Sequence, residues 1–94
     1  MAFFTYIVAS RRNGTLYTGS TDSLLIRAAQ HKSKRFPGFT ARHGVDVLVW
    51  FERHGTRDAA FRRERQIKKW NRAWKLQLIE GENPEWKDLA EEVV

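Results

Sequence analysis

Residues 16–32, LYTGSTDSLLIRAAQHK, join a short β-strand to an α-helix. Residues 15–19 have the β-branched and aromatic character of a strand. Residues 19–22 then interrupt the strand with types that favour turns and helix caps, and the side chains of residues 23–32 predict a helix. The stretch therefore predicts a strand, a turn and a helix in succession.

A β-hairpin is predicted immediately before this stretch. Residues 3–9, FFTYIVA, form its first strand, and the Asn-Gly pair within residues 11–14 supplies the positive φ angles that hairpin turns need. If residues 11–14 form a four-residue loop, Tyr6 lies opposite Gly19 and diagonal to Tyr17, about 7–8 Å apart at Cα. A two-residue loop would separate the tyrosines by about 13 Å, and an odd-length loop would place them on opposite faces. A joint role for the two tyrosines favours the four-residue loop.

A third strand is predicted over residues 45–53, VDVLVWFER. Strict alternation would place one apolar set on each face: Val45, Val47, Val49 and Phe51 on one, Leu48 and Trp50 on the other. Apolar residues on both faces predict a central strand that is covered on both sides.

Helices complete the fold. We expect a loop over residues 33–44, a long helix over residues 57–70 capped by Thr56, a further helix over residues 72–80, and a last short helix opening at Pro84. The order strand, strand, helix, strand, helix, helix predicts an α+β fold (an α/β sandwich), with helices on the faces of a three-stranded sheet. The hairpin must be antiparallel, and the direction of the third strand stays open.

Length and charge restrict the classes of function. A chain of 94 residues predicts a single domain over residues 1–94. The absence of cysteine excludes disulfides and thiolate zinc sites and fits the cytoplasm, and neither a signal peptide nor a membrane span is expected. A net charge of +6 indicates an anionic partner, DNA or RNA rather than an acidic membrane surface.

Arg27 and His31 lie four residues apart and share one face of the first helix with Leu24. Arginine offers two parallel donors that match a phosphate, and histidine exchanges a proton near neutral pH. With the tyrosines and one carboxylate, these groups are the parts needed to cut a phosphodiester with a single metal ion. The alternative is a surface arginine beside an incidental histidine.

Glu64 lies on an apolar stripe of the long helix, and a buried carboxylate needs a partner. The stripe contains Ala60, Glu64, Ile67, Asn71, Trp74 and Leu78, if helix continues through Asn71. A divalent cation or Arg27 would serve as the partner, and the alternative is an ion pair with Lys68 on a partly exposed rim. Trp74 and Trp86 are expected in the core.

Basic residues cluster in the loop and on the long helix, where they would contact phosphates. Phe36 and Phe39 stand among them and could stack on unpaired bases or pack beneath the loop. No segment resembles a base-reading helix, so weak sequence preference is expected. The nucleic-acid-binding candidates are Lys32, Lys34, Arg35, Arg42, Arg63, Lys68 and Lys69.

Taken together, these motifs resemble the GIY-YIG endonuclease superfamily, in particular its small stand-alone, single-domain bacterial branch. Phe4-Thr5-Tyr6 matches the first half of the signature and Tyr17-Thr18-Gly19 the second. Arg27 and His31 follow, then Glu64 within RRERQIKKW, while Asn83 matches a late asparagine only loosely and could instead cap a helix beginning at Pro84. In each half of the signature, threonine (Thr5 and Thr18) occupies the middle position, where the family usually has an aliphatic residue.

The resemblance implies an antiparallel sheet and hydrolysis of a DNA phosphodiester, with RNA a less expected substrate. It assigns catalysis to Tyr6, Tyr17, Arg27, His31 and Glu64, with one Mg²⁺ or Mn²⁺ on Glu64, and leaves open which tyrosine is the base. We expect a structure- or damage-directed endonuclease of DNA repair or recombination, acting alone, as a homodimer or with a partner protein. The alternatives are a non-catalytic nucleic-acid-binding module and a protein-interaction adaptor.

Overall fold

The hairpin forms with the four-residue loop that places the tyrosines together. The computed structural model describes residues 2–32 and 44–92, in which Phe3–Ala9 (β1) pairs with Leu16–Thr21 (β2). Ser10 donates its backbone N–H to the carbonyl of Thr15 at 3.0 Å, and Asn13 takes a positive φ of 59°. Tyr6 lies opposite Gly19, as predicted. The strand does not break at Gly19, however, because pairing continues to Thr21.

β1, and not the third strand, is the centre of the sheet. Val47–His54 (β3) pairs antiparallel with β1, and the strand order is β2-β1-β3. The predicted central position of β3 is therefore wrong, although the antiparallel direction implied by the resemblance is confirmed. β3 is apolar on both faces because helices and the C-terminal residues cover it, and not because a strand lies on each side.

A β-bulge changes the faces of β3. Ile7 pairs with Trp50 whereas Val8 pairs with Leu48, so Val49 is an extra residue. An extra residue breaks strict alternation, and Trp50 therefore joins Val49 in one core cluster while Leu48 packs in the other. The predicted alternation across residues 45–53 was wrong for this reason.

Among the residues that the structure describes, three α-helices cover the two faces of the sheet, in the predicted order and fold class. Leu24–Lys32 (α1) lies on the face that carries Tyr6, and Arg57–Lys68 (α2) and Arg72–Glu82 (α3) lie on the face that carries Ile7. None of the helices in the described part of the chain has the length and apolar character needed to cross a bilayer.

The apolar stripe of α2 ends where the helix ends. Asn71 caps α3, and its side-chain oxygen accepts the N–H of Trp74 at 3.0 Å. The resulting break turns Trp74 outward with 54% of its surface exposed, so its expected core position was wrong. Ile79 is the buried residue of α3, and Trp86 is buried as predicted.

The C-terminal segment, residues 83–92, covers the outer edge of β3. No helix begins at Pro84, because Trp86 takes a φ of +57° that a right-handed helix cannot accommodate and inserts into the core. A turn is followed by the 3₁₀ helix Leu89–Glu92, and Leu89 packs on the opposite face of the sheet from Trp86. The segment thus passes from one face to the other around the edge.

Candidate active site

Tyr6 lies across Gly19 on the α1 face of the sheet. The tyrosine is 2% exposed, and a Cβ atom on Gly19 would lie 2.6 Å from its hydroxyl oxygen and 2.8 Å from Cζ. Only glycine leaves room for the phenol in this position. The sequence predicts a strand that ends at Gly19, although the predicted register already places this glycine opposite Tyr6.

Tyr6 forms a hydrogen-bonded pair with His31. The Tyr6 hydroxyl lies 3.0 Å from His31 Nε2, and the imidazole is 1% exposed. Burial raises the pKa of Tyr6, nearby Tyr17 raises it further, and the positive charge of Arg27 partly opposes both. Burial lowers the pKa of His31, and Arg27 lowers it further. A neutral phenol beside a neutral imidazole is the state that these shifts favour at pH 7.

Arg27 and Tyr17 lie beside this pair. Arg27 is one helical turn before His31 and close enough to act on the pKa values of both members. The ring of Tyr17 is half-buried, with its centroid 5.8 Å from that of His31. The hairpin and α1 together therefore gather two phenols, one imidazole and one guanidinium.

Glu64 comes near the two tyrosines from α2, although α2 packs on the other face of the sheet. One carboxylate oxygen accepts a hydrogen bond from the Ser20 hydroxyl at 2.7 Å, and the other accepts a hydrogen bond from Lys68 Nζ at 2.7 Å. The ammonium of Lys68 also lies 5.7 Å from the centre of the Tyr17 ring. Of the partners considered for Glu64, the structure places Lys68 against it. Ser20 was missed because its contact depends on how α2 packs beside β2.

Glu64 and Ser20 fit a site for one small, hard cation. Mg²⁺ prefers oxygen ligands and usually takes one or two carboxylates, with water and substrate phosphate completing the shell. Across residues 2–32 and 44–92 no three acidic or histidine side chains gather as a closed metal site. The Glu64 carboxylate and the Ser20 hydroxyl suit a site at which water and substrate complete the metal coordination. Lys68, the present partner of Glu64, is 47% exposed and can move aside.

The remaining candidates lie elsewhere. Lys32 pairs with Asp88 of the C-terminal segment, and Arg63 bonds Glu52 on the β3 side of α2. Lys69 is exposed at the C-terminal end of α2. Candidates that fall outside the described residues are Lys34, Arg35 and Arg42, as are Phe36 and Phe39.

Asn83 lies at the outer edge of β3, away from Glu64. Its side-chain nitrogen donates to the carbonyls of Val49 at 3.0 Å and Lys87 at 2.9 Å, and its oxygen accepts the Lys87 N–H at 3.0 Å. Because no helix begins at Pro84, Asn83 does not serve as the N-cap predicted for that position. All of these bonds hold the C-terminal segment in place.

Known proteins resemble this chain over most of its length. Residues 2–77 match the family described as the GIY-YIG catalytic domain. A UPF0213 protein of Staphylococcus haemolyticus is 36% identical over 77 residues, which is 82% of this chain and 93% of the relative. A UPF0213 protein of Syntrophus aciditrophicus is 40% identical over 72 residues, 76% of this chain and 82% of the relative. The solution NMR structure of a UPF0213 protein from Bacillus halodurans superposes with a TM-score of 0.57 at 26% identity, covering 94% of this chain and 93% of that one.

Proposed function

Because this chain belongs to the GIY-YIG catalytic domain family, a family of nuclease domains, we propose that it is an endonuclease that hydrolyses DNA phosphodiester bonds with one divalent metal ion. The observation that carries the proposal is the meeting of Tyr6, His31 and Arg27 with Glu64 beside one strand, β2. One hydrolysis reaction can use all of these groups: the carboxylate to hold a cation, the guanidinium to bind a phosphate, and the phenol–imidazole pair to transfer a proton.

Tyr6 and His31 form a proton relay in this mechanism. The Tyr6 oxygen accepts a proton from the attacking water while its own proton passes to His31 Nε2, 3.0 Å away. The resulting hydroxide forms the new P–O bond as the bond to the leaving oxygen breaks, the leaving oxygen takes a proton from solvent, and His31 returns its proton to solvent. Tyr6 never becomes a phenolate, which its burial would penalise. Tyr17 orients the water from the partly exposed side.

Arg27 couples this relay to substrate binding. Its charge lowers the pKa of His31 in the free protein. When a phosphate binds the guanidinium, that charge is compensated, and the imidazole becomes a better proton acceptor at the moment the substrate arrives. The same contact stabilises charge on the non-bridging oxygens of the phosphate.

Glu64, with the neighbouring Ser20 hydroxyl, would hold the Mg²⁺ or Mn²⁺ ion. Held there, the ion would supply Lewis-acid chemistry, the neutralisation of charge that develops on the leaving oxygen. Ser20 keeps the Glu64 carboxylate oriented, since its hydroxyl donates to Oε1 at 2.7 Å.

We expect the substrate to be DNA of particular structure or with damage, in repair or recombination, because no segment of the sequence resembles a base-reading helix. RNA cleavage, a homodimer and a partner protein are left as outcomes of experiment. The single-domain organisation and the cytoplasmic location stay predictions of the sequence.

The experiment that tests this function is cleavage of labelled branched, nicked, single-stranded and duplex DNA with Mg²⁺ or Mn²⁺. We expect metal-dependent cutting that Glu64→Gln abolishes and Glu91→Gln, which alters an exposed carboxylate, leaves intact. Circular dichroism and DNA binding by each variant are the controls for folding. If wild type and Glu64→Gln bind DNA equally with salt sensitivity and neither cuts, the protein is a non-catalytic binding module.

A further inference from the structure

The flank of α2 that faces away from Glu64 carries a second surface feature, the Trp74 cleft. This cleft of about 900 Å³ lies between α2 and the start of α3, with Trp70 and Trp74 in its wall. A smaller cleft of about 410 Å³ lies against the same two rings. Trp74 therefore stands between two open spaces, which agrees with its 54% exposure.

The lining of the Trp74 cleft is cationic and aromatic. Four of the described side chains that line it are basic, and none of the described lining residues is acidic; the basic ones are Arg62, Arg63, Arg65 and Lys69. Arg63 lies 5.2 Å from the Trp70 ring centre, and the Trp70 and Trp74 rings meet edge to face at 6.2 Å. Arg63 and the edge contact hold Trp70 in place and leave the Trp74 ring as the exposed platform.

These features favour unpaired nucleotides over a protein as the occupant. Sites for single-stranded nucleic acid combine basic side chains that follow the backbone with aromatic rings on which bases stack. The fully buried core of a protein interface is instead depleted of charge. Arg62 is 80% exposed and pairs with Asp58, which is 68% exposed, so its guanidinium can exchange that partner for a phosphate.

The position on α2 relates the cleft to the active site. Glu64 and Lys68 lie one turn apart on the flank beside β2, whereas Arg63 bonds Glu52 of β3 on the opposite flank. Arg65 and Lys69 lie on the outward face between the two. A strand leaving the active site would cross this basic face, one helix diameter of about 10 Å, to reach Trp74.

We propose that the Trp74 cleft binds unpaired nucleotides of a single-stranded DNA segment by stacking a base on Trp74. The inference rests on the proposed function for the nature of the polymer, and it makes DNA with a single-stranded tail or gap the preferred substrate. Binding to the cleft does not itself require a metal ion or cleavage.

Fluorescence anisotropy of a labelled thymidine oligonucleotide, measured in EDTA, tests the site. We expect Trp74→Ala to weaken binding about tenfold, the typical effect of losing one stacked base, and Trp74→Phe to retain most of it. The control is Ile26→Ala, which removes an exposed apolar side chain from α1, outside the cleft, and should leave affinity unchanged. Blunt duplex binding should change little in all three variants, and urea midpoints verify folding.

Three results would overturn the proposal: equal affinities for Trp74→Ala and wild type, an equal loss of duplex and single-strand binding, or loss of a protein dimer by Trp74→Ala without DNA. The last would assign the ring to a contact between copies. If Trp74 passes the binding test while no DNA is cut under any condition, the endonuclease fails and the nucleotide site stands.

Discussion

Replacing Gly19 with alanine tests whether the placement of Tyr6 holds the candidate site together. The added Cβ would lie 2.6, 2.8 and 3.0 Å from three atoms of the Tyr6 ring system. The ring is rigid and 2% exposed, so it cannot swing into solvent and must shift within a packed core. Overpacking of this kind costs about 1–3 kcal/mol.

Two further contributions set the net effect. A displaced phenol loses its bond to His31, worth about 1 kcal/mol. Against this, alanine restricts the unfolded chain and returns about 0.4–1 kcal/mol, because Gly19 does not use a positive φ. We therefore expect Gly19→Ala to lower the free energy of unfolding by about 2 kcal/mol, measured by urea denaturation followed through tryptophan fluorescence.

A double-mutant cycle with Tyr6→Phe isolates the contact. Phenylalanine removes the hydroxyl and its bond in advance, so Gly19→Ala should cost about 1 kcal/mol less in that background. Gly55→Ala is the matched control, since a Cβ there meets no atom within 4 Å and should be neutral or slightly stabilising. If Gly19→Ala is as stable as Gly55→Ala, or if its cost is the same with and without the hydroxyl, the steric argument is wrong.

Three other changes have defined outcomes. Lys68→Met should tighten Mn²⁺ binding about three- to tenfold in electron paramagnetic resonance titrations, because it removes the ammonium group that is bonded to Glu64. Lys69→Met should leave Mn²⁺ binding unchanged. The pKa of His31 is lowered in the folded protein, so the folded state binds this proton less readily than the unfolded state does. The contribution of neutral His31 to the free energy of unfolding is therefore complete above the ordinary histidine pKa near 6.5. That contribution is lost as the pH falls through the lowered pKa of the folded state. Urea midpoints at pH 7 and pH 5 should therefore differ less in His31→Gln than in wild type, and an unchanged difference would contradict the assigned shift. Asn83→Ala should cost about 2–3 kcal/mol of unfolding free energy by leaving buried backbone groups unbonded, and a retained metal dependence of cleavage would show that its role is structural.

Much of the sheet and the gathering of the signature residues could be predicted because they depend on local rules. The Asn-Gly pair indicated a hairpin but left its loop length open; the four-residue loop, favoured by a joint role for the two tyrosines, then placed Tyr6 opposite Gly19 and diagonal to Tyr17. The four-residue spacing of Arg27 and His31 then required only that α1 pack on the same face. Each of these steps spans a few residues, over which backbone geometry leaves few choices.

The errors arose where distant segments meet or where a helix cap begins a new helix. The bulge at Val49 cannot be inferred from an apolar run, because alternating and bulged strands use the same residue types. Trp74 looked like a core residue only if the helix ran through Asn71, which instead caps a new one. Ser20 became a partner of Glu64 through the packing of α2 beside β2, a contact between residues 44 positions apart.

The path of the C-terminal segment has a consequence for how the chain emerges from the ribosome. β1, β2 and β3 can all pair before residues 83–92 have been synthesised, but until then β3 presents the backbone groups of Leu48 and Val49 that Asp88 and Asn83 later bond. An open strand edge invites pairing with another chain. Residues 83–92 are thus the ones that close this edge, and a nascent or truncated chain ending at Glu82 would be the aggregation-prone species during biosynthesis.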